Sequence, residues 1–257
     1  RRIVPWDAVA PTTDERCYWQ RRIAGTPWSA AFLISPAGAG LYGASLQLTG
    51  ETWCHAREFH YCGSIHVPFA EIPRRVRRQL LALGPALARA GLRGLVGADL
   101  VVDRTEVAWV VEINPRPTAS LELVERSTGR PFAADHVAAC RGRAALTTPK
   151  VLPRSDRRHA KAVLYAPREI AIDDGAVSRL LAYRGSWTRD AMPGIADLPL
   201  AGGTIPAGGP ICTVFGSGAT IPATMAELHG RATTVISALS PPSSAARPWA
   251  ADPRSTP

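Results

Sequence analysis

Two runs of branched and aromatic residues, Val96–Val102 and Val107–Ile113, flank the polar stretch Asp103–Glu106. Short runs of this kind around a polar turn predict a β-hairpin. With Val102 opposite Val107, the residues Val96, Ala98, Leu100 and Val102 share an apolar face with Val107, Trp109, Val111 and Ile113. Side chains alternate along a strand, so the other face carries Gly97, Asp99, Glu112 and Asn114. Asp99 then lies diagonally across from Glu112, within reach of a shared ion. Turning the hairpin over would force both acids into the core, which desolvation opposes. An ordinary hairpin with one solvated side has the same pattern. Three oxygen donors on adjacent strands are also what a magnesium–nucleotide site requires.

Around the hairpin, residues 30–66 alternate strands with glycine-rich turns. Arg74–Ala90 predicts a helix led by Pro73, with Val76, Leu80, Leu83 and Leu87 inward at spacings of three and four. Gly84-Pro85 predicts a kink or a split, because proline removes a backbone hydrogen bond. Thr118 or Ser120 is placed to cap a helix over Leu121–Ser127 that ends near Gly129. The first N–H groups of that helix lie close enough to Arg116 to help hold a phosphate or carboxylate. Cys140–Arg158 is basic and broken by prolines, which predicts a linker. Beyond it, Lys161–Ala166, Glu169–Ile172 and Ile211–Phe215 read as strands. Ala223–Leu239 reads as a helix with Met225, Leu228, Ala232, Val235 and Ile236 inward. Pro241–Pro257 has a composition that predicts disorder.

Composition narrows the function classes. With 257 residues and 46% hydrophobic positions the chain can build one large or two small domains. No run approaches the ~20 apolar residues of a membrane span, and no apolar core follows Arg1-Arg2 to make a signal peptide. Five cysteines without disulfide spacing favour a reducing cytoplasm. The net charge of +9 comes almost entirely from arginine. Those arginines are scattered and carry no nucleic-acid motif, which weighs against nucleic acid as a partner. Cys54-His55 and His60-x-Cys62 lack the ligand spacing of a zinc site. Gly202-Gly203 and Gly208-Gly209 lack the lysine of a phosphate-binding loop.

The stretch Glu112-Ile113-Asn114-Pro115-Arg116, with Asp99 on the preceding strand, resembles the metal-binding signature of the ATP-grasp superfamily, of the carboxylate–amine ligase type. Tyr18–Gly25 resembles the strand and hinge that contact adenine there. Ser29–Ile34 and Leu41–Gln47 resemble the antiparallel strands that follow, and Tyr61–Ile65 the next connection. More loosely, the chain resembles the ATP-grasp proteins linked to tetrahydromethanopterin one-carbon metabolism. The resemblance implies an α+β fold, the C-terminal half of an ATP-grasp fold (antiparallel sheet with helices) followed by a small β-rich C-terminal domain. It implies an ATP-grasp domain over 1–147, a linker over 148–158, the small domain over 159–239 and a tail over 240–257.

The function implied is ATP- and Mg²⁺-dependent ligation (Mn²⁺ being an alternative ion). A carboxylate would be phosphorylated to an acyl phosphate, which an amine or similar nucleophile then attacks. Asp99, Glu112 and Asn114 would hold the metal, with Glu112 and Asn114 also facing the nucleotide. Gln20, Arg21 and Ile23 would meet adenine, and Arg116 would stabilise the transferring phosphoryl group. The partners implied are small carboxylate and amine substrates, and a homodimer is compatible with the sequence.

Departures accompany the resemblance. No lysine precedes Lys150 and no glycine-rich loop precedes Tyr18, so the expectation is a C-terminal portion with little turnover of its own. Relatives tend to carry a basic residue where Leu46 stands. The alternative is a degenerate, non-catalytic protein that binds a nucleotide, a metal or a partner.

Overall fold

One long sheet carries apolar residues along one whole side and, over part of its extent, on the other side as well. In the computed structural model, which describes residues 20–143, 157–183 and 193–239, the chain begins with β1 (Thr26–Ser35), β2 (Gly38–Thr49) and β3 (Tyr61–Val67). Helix α1 (Arg74–Arg89), the hairpin β4 (Gly94–Val102) and β5 (Ala108–Asn114), and helices α2 (Leu121–Thr128) and α3 (Phe132–Cys140) follow. Then come β6 (Arg158–Tyr165), β7 (Ile170–Ala171), α4 (Asp174–Ala182), β8 (Ile195–Ala196), β9 (Thr204–Ile205), β10 (Pro210–Gly218) and α5 (Ile221–Leu239).

Eight strands form one sheet in the order β5-β4-β1-β2-β3-β6-β10-β8, and β7 pairs with β9 apart from it. Neighbours in the large sheet pair antiparallel. The mixed α+β architecture and the antiparallel sheet agree with the sequence reading. β6, β10 and β8, from the stretch 159–239, hydrogen-bond onto β3 and continue the same sheet. The expected linker lies largely, and the expected tail wholly, outside the described residues.

α1 covers the apolar side at the β1–β4 end, burying Val76, Leu80 and Leu87 against Trp28, Phe32, Val96 and Leu100. Leu83 is half-buried and packs at the margin of this cluster. The helix passes through Pro85 unbroken. The carbonyl that proline releases belongs to Leu81, a residue on the exposed side of the helix. At the other end α4 and α5 bury Leu180, Leu228, Ala232 and Val235 against Leu164 and Val214. On the opposite side of the sheet, α2 and α3 pack Leu121, Val124 and Ala139 on Ala31, Leu33 and Leu95. This second side is apolar only where those helices touch it, and it carries the polar residues of interest.

Candidate functional site

The hairpin forms, with a different register from the expected one. Val102 stands opposite Ala108, Asp99 directly opposite Glu112, and Gly97 opposite Asn114. The register shifts between Asp99 and Leu100, and Val111 is the residue left without an opposite. One extra residue reverses the alternation on β5, so Ile113 stays on the apolar side but Ala108, not Val107 or Trp109, joins it there. Trp109 is therefore not in the core as expected. It is 41% exposed, and its Nε1 donates to Asp103 Oδ2 at 2.9 Å. Asp103 also accepts from Thr105 and Val107 backbone N–H groups and so closes the turn.

The bulge brings the two carboxylates closer than a diagonal pairing would. Asp99 Oδ1 accepts from Gln47 Nε2 at 2.8 Å and its Oδ2 from Asn114 Nδ2 at 3.0 Å. Asn114 is buried and Glu112 is exposed. Burial pushes the Asp99 carboxyl above its usual range and the facing Glu112 adds to that, while the bonds from Asn114, Gln47 and Ser29 pull it back. Neither carboxylate forms an ion pair with a described arginine or lysine. Gly97 is needed here: a Cβ on it would come within 2.4 Å of Thr118 Cγ2, so the chain after Arg116 folds down directly over the strand. Gln47 was not foreseen as a partner of Asp99. Strand alternation was the available signal, since Leu46 packs among the apolar clusters and turns Gln47 to the other side. A basic residue in place of Leu46 would face the core side, so its absence removes nothing from this face.

Among the described residues no three His, Cys, Asp or Glu side chains gather to hold a metal ion. The set at hand is of another kind: two acids and one amide. Magnesium is commonly held by one or two carboxylates, with water and phosphate oxygens completing its shell. Gln47, Asn114 and Ser29 take three of the roughly four lone-pair sites on the Asp99 carboxylate and leave one, and Asn114 keeps its Oδ1 as an acceptor. The donor set therefore fits a divalent cation shared with a polyphosphate.

The other residues singled out from the sequence lie as follows. Arg116 is exposed two residues beyond Asn114, its Nη1 donating to the Pro117 carbonyl at 3.2 Å. Gln20 and Arg21 are exposed and Ile23 is half-buried, all in irregular chain. The strand expected over Tyr18–Gly25 is absent from residues 20–24, since pairing of β1 starts at Thr26 opposite Val102 and no strand extends beyond it. Tyr18 and Trp19 lie outside the described residues. No hydrogen bond or ion pair joins Gln20, Arg21 or Ile23 to the carboxylates among the described residues. α2 begins and ends as expected, with Gly129 at φ 70° after its last turn. Ser120 does not cap it through its side chain. Its hydroxyl faces Ser29 Oγ at 3.5 Å and Thr118 Oγ1 at 3.3 Å. Cys54 and Cys62 are fully buried thiols that hydrogen-bond to each other.

Across the sheet the same side stays polar. Asp99 is level with Ser29, and Ser29 with Ser45 and then His66. The neighbouring row runs from Gln47 through Ser64 and Lys161 to Phe215.

Comparison with known proteins gives this geometry a context. No match is found among curated proteins. The L-amino acid ligase from Bacillus licheniformis superposes with a TM-score of 0.58 at 13% identity, covering 81% of this chain and 52% of that one. The carboxyaminoimidazole ribonucleotide synthase from Aspergillus clavatus, solved with ATP, gives 0.55 at 11% identity, covering 82% and 50%. Biotin carboxylase from Campylobacter jejuni, solved with a β,γ-ATP complex, gives 0.52 at 11%, covering 79% and 44%. The chain thus spans about half the length of these structures or less. Residues 6–120 match the family model of an ATP-grasp domain, and the chain as described has the ATP-grasp fold.

Proposed function

We propose that this chain binds Mg²⁺–ATP at Asp99, Glu112 and Asn114 and serves a carboxylate–amine ligation. The observation that carries the reading is the direct opposition of Asp99 and Glu112, half-desolvated and without a cationic side chain between them. Like charges facing across a strand pair are unfavourable, and a divalent cation reverses the sign of that term. The residues after the pair support the same reading: Asn114 adds an amide oxygen, and Arg116 is free on its outer side to meet a phosphoryl oxygen, for which a guanidinium is suited.

In this proposal Glu112, exposed on the outer strand, bridges toward the β- and γ-phosphates. Asp99, fixed by Gln47 and Asn114, sets the position of the ion. When bound, the metal neutralises charge on the phosphates so that a substrate carboxylate can attack the terminal one. Gln20, Arg21 and Ile23 are proposed to line the adenine end. The attack of the carboxylate on the terminal phosphate releases ADP and forms an acyl phosphate, whose carbonyl carbon an amine then attacks, releasing inorganic phosphate and giving an amide-type product. A cytoplasmic setting and a link to one-carbon metabolism remain part of the proposal. No described helix is long and apolar enough to cross a membrane.

Because the chain spans about half of the ligases it superposes on, the test reads binding and not turnover. Calorimetric titration with ADP is expected to give saturable binding that requires Mg²⁺ and is lost in Asp99→Ala. Binding of equal affinity in Asp99→Ala, or indifference to Mg²⁺, would refute the ligand assignment.

A further inference from the structure

The polar side of the sheet does not end at the proposed metal pair. It continues under α2 to a group of cations at β6 and β10. Glu122 and Arg126 stand four residues apart on α2, on the side that faces these strands. Glu122 is taken by Lys161, whose Nζ lies 2.9 Å from its Oε1. Arg126 sits over Phe215, with its guanidinium carbon 3.5 Å from the ring centroid. Its Nε is buried without a hydrogen-bond acceptor among the described residues. Arg231 and His159 lie near it. Arg231 is bound to Glu227 at 2.7 Å, and the other oxygen of Glu227 is used by the Ser217 backbone N–H. His159, opposite Ser217 on β6, has a buried Nε2 that also lacks a partner. The Arg126 charge acts on His159, and Arg231 repels Arg126.

Two acids stand among four basic groups here, and each acts on more than one of them: Glu122 on Arg126 as well as Lys161, and Glu227 on His159 as well as Arg231. Arg126 lies over an aromatic ring near Arg231 and His159, and its buried Nε has no acceptor among the described residues. A planar, oriented guanidinium beside a neutral imidazole that can also donate is a binding arrangement for a planar or tetrahedral oxyanion.

We infer that Arg126 and His159, buttressed by Lys161 and Phe215, form an oxyanion subsite on the same sheet face as Asp99. Its ligand is a carboxylate or phosphate group carried at the far end of the acceptor substrate. That last clause rests on the proposed ligase reading; the oxyanion subsite itself does not. Four strand spacings of ~4.8 Å separate β4 from β6, so the ligand places its two ends about 15–20 Å apart, an elongated molecule with one anionic group remote from the reacting centre.

The test is calorimetric titration of the full chain with malonate and, separately, inorganic phosphate, at constant ionic strength set with chloride. Saturable binding with a stoichiometry of one is expected. Arg126→Leu, which keeps an apolar cover on Phe215, is expected to weaken it at least ten-fold, and Arg126→Lys to weaken it by a smaller factor. His159→Phe provides a second variant should Arg126→Leu fail to fold, and is expected to weaken binding as well. Tighter binding of malonate marks a carboxylate-bearing ligand and tighter binding of phosphate a phosphorylated one, and both support the subsite. No saturable binding by the wild-type chain, or equal binding by folded Arg126 and His159 variants, would overturn it. Mg²⁺–ADP titration of the same wild-type sample separates the two readings: oxyanion binding that depends on Arg126, without Mg²⁺–ADP binding, would sink the nucleotide proposal and leave this subsite standing.

Discussion

Replacing Glu112 by Gln removes one of two facing charges while leaving the shape of the hairpin and the hydrogen bonds of Asp99 in place. Glu112 is exposed and makes no described hydrogen bond, so the fold is not at risk. Side chains directly opposite on antiparallel strands are about 5 Å apart. Two unit charges at that distance repel by about 1 kcal/mol in water and about 3 kcal/mol at an effective dielectric of 20. Solvent screens the Glu112 side of the pair, which puts the expected gain near the lower figure. Glu112→Gln is therefore expected to be about 1 kcal/mol more stable than the wild type at pH 7.5 without metal. The sign with pH follows from Asp99, whose carboxyl titrates above its usual value in the folded chain. Its ionised form is disfavoured by folding, so the wild type loses stability as pH rises through that raised value and keeps it below the unfolded one. The advantage of the variant is then expected to shrink as pH falls toward 4. Mg²⁺–ADP reverses the order, because a ligand that binds only the native wild type stabilises it by mass action. Urea unfolding at pH 7.5 and pH 4, with and without Mg²⁺–ADP, measures all three. A variant less stable than the wild type at pH 7.5 without metal, or an advantage unchanged at pH 4, would refute the like-charge argument.

Further outcomes follow from the packing and the titrations. Gly97→Val forces a side chain against Thr118 and is expected to cost about 1–3 kcal/mol by overpacking, read by urea unfolding, with Mg²⁺–ADP affinity falling as the loop moves. Leu80→Ala, at a site 1% exposed, is expected to cost about 2–5 kcal/mol in the same assay. Asp173→Ala removes the side-chain acceptor of the Ala176 N–H at the start of α4, with an expected loss of about 1 kcal/mol. Burial, helped by the neighbouring His159 and opposed by Glu71, lowers His66 to about 4. Stability from its neutral form is present above the unfolded value of about 6.5 and is lost as pH falls toward 4. His66→Phe is expected to flatten the pH dependence of unfolding in that window, and an unchanged slope would remove His66 as its source.

Periodicity and residue type carried the hairpin, α1, α5 and the grouping of Asp99, Glu112 and Asn114 to one side. They did so because a polar residue on the wrong side of a buried sheet is costly at every position. Register was not legible, since a single bulge at Val111 changes which residues oppose and leaves composition untouched. That bulge moved Trp109 outward. A strand over Tyr18–Gly25 was unsupported in residues 20–24 because strand propensity counts for little where no neighbour offers hydrogen bonds. Pro85 was expected to interrupt α1, but the freed carbonyl belongs to Leu81 on the exposed side of the helix. The continuity of the sheet through β6 depends on contacts between Gly63–Ile65 and Ala160–Ala162, nearly a hundred positions apart, which no local pattern encodes. The Arg126–Phe215 stack is invisible for the same reason.

Glu112 and Asn114 ride on β5, an edge strand, which among the described residues is hydrogen-bonded along one margin only. Edge segments open at lower free energy than those in the middle of a sheet. Two of the three donors thus sit on the part of the sheet that frays first, with Trp109, Val110 and Val111 already turned to solvent. A cation clamping Glu112 to Asp99 would sew this hem to its neighbour, so amide exchange along Ala108–Asn114 should slow on metal loading and report occupancy directly.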